Sequence, residues 1–157
     1  MMDEATWNRH ANPWSVWTRA LSLPPLLAAI WSHTTLGWWA ALPIGLMGLW
    51  LWLNPRLFPP PAHTDTWASK VTFGERVWLN RTNVPIPAHH ARAAALLSGL
   101  AGVTFTAALA GAIANNLAWT VGAGSLSWVA KMWFADRMVW LFEDMKSQHP
   151  NYRKWLR

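Results

Sequence analysis

ALSLPPLLAAIWSHTTLGWWAALPIGLMGLWLWLNP, residues 20–55, and AAALLSGLAGVTFTAALAGAIANNLAWTVGAGSLSWVA, residues 93–130, contain no Asp, Glu, Lys or Arg. They run for 36 and 38 residues. One helical crossing of the hydrocarbon needs about 20 apolar residues, so each stretch is long enough for two. Each also carries a polar break near its middle. In the first, His33-Thr34-Thr35 precedes Gly37 among Trp31, Trp38 and Trp39; in the second, Asn115-Asn116 is followed by Trp119. Polar turn residues ringed by indoles are the composition of a headgroup region. The stretches therefore read as two helical hairpins, with spans near 15–32, 38–54, 92–114 and 117–137. The expected fold is an all-α, four-helix transmembrane bundle, with residues 1–157 forming a single membrane domain.

The rest of the chain agrees with that reading. Charged residues make up 13% of the sequence, about half of what soluble domains carry, while 15 of 157 residues are Trp. A soluble bundle could hide two apolar hairpins, but this chain has too little polar surface to wrap them. The mean hydropathy of +0.09 is modest for a membrane protein because hydropathy scales under-score polar-tipped rings. All 13 Lys and Arg residues fall in the N-terminal segment, the connection 54–92 or the C-terminal segment, and none in a hairpin turn. The positive-inside rule then places both termini and the central loop in the cytoplasm, with the bundle in the inner membrane. The first 19 residues hold charges and Pro13 instead of a short apolar core, so a cleaved signal is not expected. With no Cys, disulfides, thiolate metal sites and Cys nucleophiles are excluded together.

Two features shape the spans. Pro24-Pro25 removes two amide donors inside the first crossing, which should kink there or restart with Ser22 as its cap, and Pro43 acts similarly in the second. Gly45, Gly48, Gly99, Gly102, Gly111, Ala107 and Ala108 allow close backbone approach, with Gly99 to Gly102 and Ala107 to Gly111 as expected contacts.

On the cytoplasmic side, Asn12 can cap a helix that has Pro13 in its first position. Residues 67–81 have helical period, with Trp67, Val71, Gly74 and Trp78 on one side. They read as an interfacial amphipathic helix with Arg76 and Arg81 free to meet lipid phosphate, and Thr72 and Glu75 at capping-box spacing. His89, His90 and Arg92 stand where the third crossing begins, a helix N-terminus suited to anions. At the end of the fourth crossing, Trp133, Asp136, Arg137, Trp140, Glu143 and Asp144 share one helical face, and Phe134, Met138, Leu141, Phe142 and Met145 the other. The oily face is expected to meet lipid, Asp136 and Arg137 to turn inward, and Lys131 to snorkel. No metal site is expected. Adjacent helical residues point about 100° apart, which separates His89 from His90, and Asp136 and Glu143 are about 10 Å apart along the axis. Trp/Asn/Arg/Pro strings before each hairpin, at 7–13 and 78–85, form a faint internal echo.

The leading functional expectation is a small integral membrane protein binding an anionic amphiphile or lipid headgroup at a cytoplasmic-side pocket. Arg76, Arg81, Arg92 and Arg137 would grip the anion, since guanidinium matches phosphate or carboxylate with two parallel bonds. His89 and His90 would join them, and Trp78, Trp133 and Trp140 would cover the apolar part. Glu75, Asp136 and Glu143 would form the supporting polar network. An embedded lipid-modifying or metal-dependent enzyme, with His89 or His90 as base and Glu75, Asp136 or Glu143 as acid or ligand, is the alternative. An accessory subunit of a larger membrane complex is the third. Whether the chain is an enzyme stays open, and the sequence names no cofactor. Membrane lipids are the expected partners, with a homo-oligomer or larger membrane complex also compatible, and nucleic acid is not expected.

Five strings carry a resemblance: WNRHANPWSVWTR at 7–19, NPRLFP at 54–59, GERVWLNR at 74–81, PIPAHH at 85–90 and WFADRMVWL at 133–141. They resemble those of a family of small, Trp-rich prokaryotic multi-pass membrane proteins with a domain of unknown function. The resemblance covers nearly the whole chain and implies the four-crossing architecture, but no activity and no catalytic residue.

Overall fold

The computed structural model describes residues 3–157, and all regular structure among them is helical. The order is α1 (Glu4–His10), α2 (Pro13–Ala20), α3 (Leu23–Trp31), α4 (His33–Leu36), a 3-10 turn (Gly37–Ala40), α5 (Ala41–Leu57), α6 (Trp67–Leu79), α7 (Ala88–Ile113), α8 (Leu117–Gln148) and α9 (Pro150–Arg153). Two stretches are long and apolar enough to cross a membrane, Pro13–Leu57 and Ala88–Ile113.

Both uncharged stretches fold back on themselves. In the first, α5 returns beside α1 and α2: the Asn12 amide donates to the Pro59 carbonyl at 2.9 Å. Deeper in the hairpin, the fully buried Asn54 accepts from Ser15 Oγ and donates to Thr18 Oγ1, each at 2.8 Å. The turn reverses at Gly37, whose φ of +53° suits a residue without a side chain. In the second, Asn115 takes φ of +57° and Asn116 caps α8, accepting from the Trp119 amide at 3.1 Å. Gly111 sits at the closest approach of that hairpin, where a Cβ would lie 2.8 Å from the Thr120 nitrogen.

The first uncharged stretch breaks at Leu21-Ser22, before the Pro24-Pro25 pair. Ser22 occupies the cap position without capping; its hydroxyl instead donates back to the Thr18 carbonyl at 2.8 Å. Asn12 does cap α2, accepting from the Trp14 amide at 2.9 Å, with Pro13 behind it. Pro43 lies in the first turn of α5, where a missing donor costs nothing, so it starts that helix without kinking it. Gly99 and Gly102, expected to make close helix contacts, have nothing near their missing Cβ positions.

The cytoplasmic-side expectations change more. α6 is no surface-lying helix: Ala68, Ser69, Val71, Thr72, Phe73, Gly74 and Val77 are all buried, and its long contact is with α8. Its cap is Thr66, accepting from the Ser69 amide at 3.2 Å, so the Thr72/Glu75 capping box does not form; Thr72 lies mid-helix and donates to the His10 carbonyl. At Gly74 a Cβ would fall 1.9 Å from the Met138 carbonyl oxygen, so only glycine allows this approach of α6 to α8. The face of α8 expected to meet lipid is the core. Phe134, Met138, Leu141, Phe142 and Met145 are buried with Phe73, Val77, Ala94, Leu97 and Tyr152, whereas Trp133 and Trp140 are exposed. The reason is packing: at 1.5 Å per residue the 32 residues of α8 extend about 48 Å, and this half of the helix lies against α6, α7 and α9, which cover its oily side.

Candidate functional site

Arg19 lies in the last turn of α2, where a cation complements the free carbonyls, and the break at Leu21-Ser22 leaves its guanidinium facing the space between α2, α6 and the α7/α8 hairpin. Lys131 enters the same space from α8, one turn beyond Ser127. Glu75 enters from α6, held there by the close Gly74–Met138 contact. Together with His10, Trp67, Trp128 and the apolar Ala101, Phe105 and Met132, they line a cavity of about 540 Å³.

The polar groups are arranged asymmetrically. Lys131 Nζ lies 3.3 Å from Glu75 Oε1 and 4.4 Å from the centre of the Phe134 ring. Arg19 has no carboxylate within ion-pairing distance among the described residues. Its guanidinium meets the edge of the His10 imidazole instead, Nη1 lying 2.7 Å from Nδ1 and also against Nε2. Burial, followed by the positive charge of Arg19, pushes the His10 pKa down to about 4, so His10 is neutral at pH 7 and can accept from the guanidinium. With Arg19 and Lys131 positive, Glu75 negative and His10 neutral, the cavity carries one unbalanced positive charge. Trp67 forms one wall, stacked on Trp17 at 5.2 Å and donating from Nε1 to Asp136 Oδ1 at 3.1 Å. Trp128 forms another, its Nε1 donating to the Ala20 carbonyl at 2.8 Å.

Most residues singled out in the sequence lie elsewhere, and they do not converge on one cavity. Arg76 makes a two-pronged pair with Glu4 and stacks 4.2 Å from the Trp155 ring centre. Arg81 lies 4.2 Å over Trp78, which packs edge-on against Phe134. Arg137 lies 5.2 Å from the exposed Trp140, Trp133 is exposed, and Arg92 is exposed on the first turn of α7. Glu143 binds Lys70 at 2.9 Å and also Lys146; these two cations hold its carboxyl below the usual range despite its burial. Of the twelve, only Glu75 lines the cavity.

His89 and His90 form a separate group. His90 is 2% exposed, and its Nε2 lies 2.7 Å from Asp144 Oδ2. Its Nδ1 is buried without a partner among the described residues. His89 stacks on it with ring centres 4.1 Å apart, and one ligand atom from each of His89, His90 and Asp144 lies within 4.8 Å of the others. The angular argument that separates these two histidines applies to their Cβ directions; side-chain torsions bring the rings back together.

Sequence reasoning passed over Arg19 and Lys131 as site residues. The signal was their position: Arg19 is the last cation before the first uncharged stretch, and Lys131 the first after the second.

The fold and the cavity define an all-helical protein with two apolar stretches of membrane-crossing length and a cationic pocket against the middle of α7 and α8. The chain belongs to the family of unknown function DUF6653, whose family model covers residues 1–155. No curated protein and no solved structure matches the chain.

Proposed function

We propose that this protein is a multi-pass membrane protein that binds an anionic amphiphile, its headgroup held by Arg19 and Lys131 in the cavity between α2, α6, α7 and α8. The carrying observation is the unbalanced charge: a guanidinium placed in a largely apolar cavity against a neutral imidazole, with no carboxylate in ion-pairing distance and the cavity's one carboxylate, Glu75, paired with Lys131. A charge so placed is costly unless an anion meets it. The indoles and aliphatic residues around it suit the apolar part of the same ligand. Here the anion falls to Arg19 and Lys131, while Arg76, Arg81 and Arg137 are engaged with aromatic rings.

The test is thermal unfolding of the detergent-purified protein with added lipid. Phosphatidylglycerol is expected to raise the midpoint in a concentration-dependent way and phosphatidylcholine is not, since a ligand stabilises only the state it binds. Arg19→Gln and Lys131→Gln should lose the effect, while Arg81→Gln keeps it. Equal stabilisation by both lipids, or an unchanged response in Arg19→Gln, overturns the reading.

The membrane architecture we propose is four crossings in the inner membrane, with α1, α6, α9 and both termini on the cytoplasmic side. Exposed apolar groups along the hairpins support it: Trp38, Trp39, Leu42, Leu46, Leu96, Val103, Leu117 and Trp119 all face outward. The chain has no native Cys, so single cysteines report cleanly. Thr35→Cys and Asn116→Cys should react only from outside the cell and Ser147→Cys only from inside; labelling of position 35 or 116 from the cytosol defeats the scheme.

One observation favours a second reading, a metal-dependent enzyme, namely the convergence of His89, His90 and Asp144. Elemental analysis of the purified protein decides it. One zinc or iron per chain, lost in His89→Ala, supports this reading, and its absence before and after zinc or iron loading removes it.

A further inference from the structure

Beside the cationic cavity lies a second, larger one of about 980 Å³, and it is almost wholly apolar. It runs between α3 and α8, lined by Leu27 and Trp31 on one side and Leu117, Val121 and Gly124 on the other. The two cavities share walls: Leu23 and Trp128 line both. Trp128 is held at this junction by its bond to the Ala20 carbonyl, where α2 ends and the chain breaks before α3. The two cavities therefore adjoin at Leu23 and Trp128, with the Arg19 guanidinium in the first and the second extending along α8 toward the far hairpin turn.

We infer that this groove holds one hydrocarbon chain of the amphiphile whose headgroup sits on Arg19 and Lys131; the inference rests on the headgroup reading above. Continuity and charge complementarity assign the occupant, because a cationic end opening into an apolar slot matches a molecule with an anionic head and a single tail in that slot. From Trp128 to Leu117 the groove runs about 16 Å along α8, at 1.5 Å per residue. A hydrocarbon chain advances about 1.2 Å per bond, as an extended backbone does, so about a dozen carbons span it. The slot narrows at Gly124, where a Cβ would lie 2.8 Å from Leu27 Cδ1. There α3 and α8 touch, so a tail lies beside that contact and not between the helices. In a bilayer the surrounding lipid is as apolar as the groove, so the slot adds little affinity. It fixes where the tail lies, and the head supplies the preference.

The experiment follows from that division. The protein is placed in phosphatidylcholine vesicles containing a trace of phosphatidylglycerol with a diazirine near the end of one acyl chain. After illumination, peptides are mapped by mass spectrometry. A phosphatidylcholine probe with the same tail is the control. The phosphatidylglycerol probe is expected to label residues 27–32 and 117–124 at least several-fold more than the control, and Arg19→Gln should erase the difference. Gly124→Val, whose side chain pushes against Leu27 at the wall of the groove, should move the label away. Label that depends on Arg19 but falls outside these segments overturns the tail assignment and leaves the headgroup reading standing. Groove labelling that is equal for the two probes and indifferent to Arg19→Gln identifies bulk lipid and overturns both.

Discussion

The two halves of α8 bury opposite kinds of side chain. From Leu117 to Lys131 the helix hides Thr120, Gly124, Ser127 and Ala130 and exposes Leu117, Trp119, Val121, Leu126 and Val129. From Met132 to Gln148 it hides Phe134, Met138, Leu141, Phe142 and Met145, and its ionised groups lie at the surface or in pairs. One continuous helix thus changes its packing rule within about a turn of Lys131. Small residues inside and large apolar ones outside suit a helix whose neighbours and solvent are equally oily, where only close backbone approach favours association. Large residues inside are what water demands. The cationic cavity sits at the change, with Lys131 among its lining residues.

The comparison is broken most directly by truncating one residue in each half. Phe142→Ala should cost about 3–5 kcal/mol, the usual loss for emptying a packed aromatic site. Val129→Ala, on the exposed side of the other half, should cost well under 1 kcal/mol, because lipid or detergent refills the space. Reversible unfolding in mixed micelles measures both, and similar losses would mean that the two halves obey one rule.

A smaller effect is expected at the junction, in the pH dependence of stability. His10 titrates near 6.5 when unfolded and about 4 in the fold. Between those values the unfolded chain binds a proton that the folded protein refuses, so stability is full above about pH 6.5 and falls as pH drops toward 4. The loss is about 3 kcal/mol if the whole shift is realised. His10→Gln should flatten the unfolding midpoint between pH 7 and 4.5 relative to the parent; parallel curves would show that other groups govern the slope.

What could be read from the chain beforehand follows the same boundary. The hairpins, the Asn115-Asn116 turn, the Asn12 cap and the break before Pro24 were legible because charge absence and turn chemistry are local. The inward and outward sides of residues 133–145 were not. Periodicity separates Phe134, Met138 and Leu141 from Trp133, Arg137 and Trp140, but it cannot say which solvent surrounds them, and assuming oil inverted the assignment. α1 was missed because seven residues carry little helical signal; the burial of Trp7 and the Glu4–Arg76 pair hold it in place. Of the site, Glu75 was legible as a polar group, but its partner was not. Arg19 and Lys131 are 112 positions apart, each reads as the border of a span, and only the packing of α2, α6 and α8 makes them neighbours.

The smallest expected effect sharpens the comparison from inside the first hairpin. Asn54 is fully buried between Ser15 and Thr18, and in a water-soluble fold, breaking such a clasp and leaving a buried partner unsatisfied costs about 1–3 kcal/mol. In a membrane the separated helices still find partners for their polar groups, and measured interhelical bonds average about 0.6 kcal/mol. Asn54→Ala removes two of them, so a loss of about 1 kcal/mol is expected, less than that of Phe142→Ala despite equal burial. A double-mutant cycle with Ser15→Ala isolates the pair. A coupling above about 2 kcal/mol would place this clasp in water-like surroundings and move the boundary inferred from α8 across the first hairpin as well.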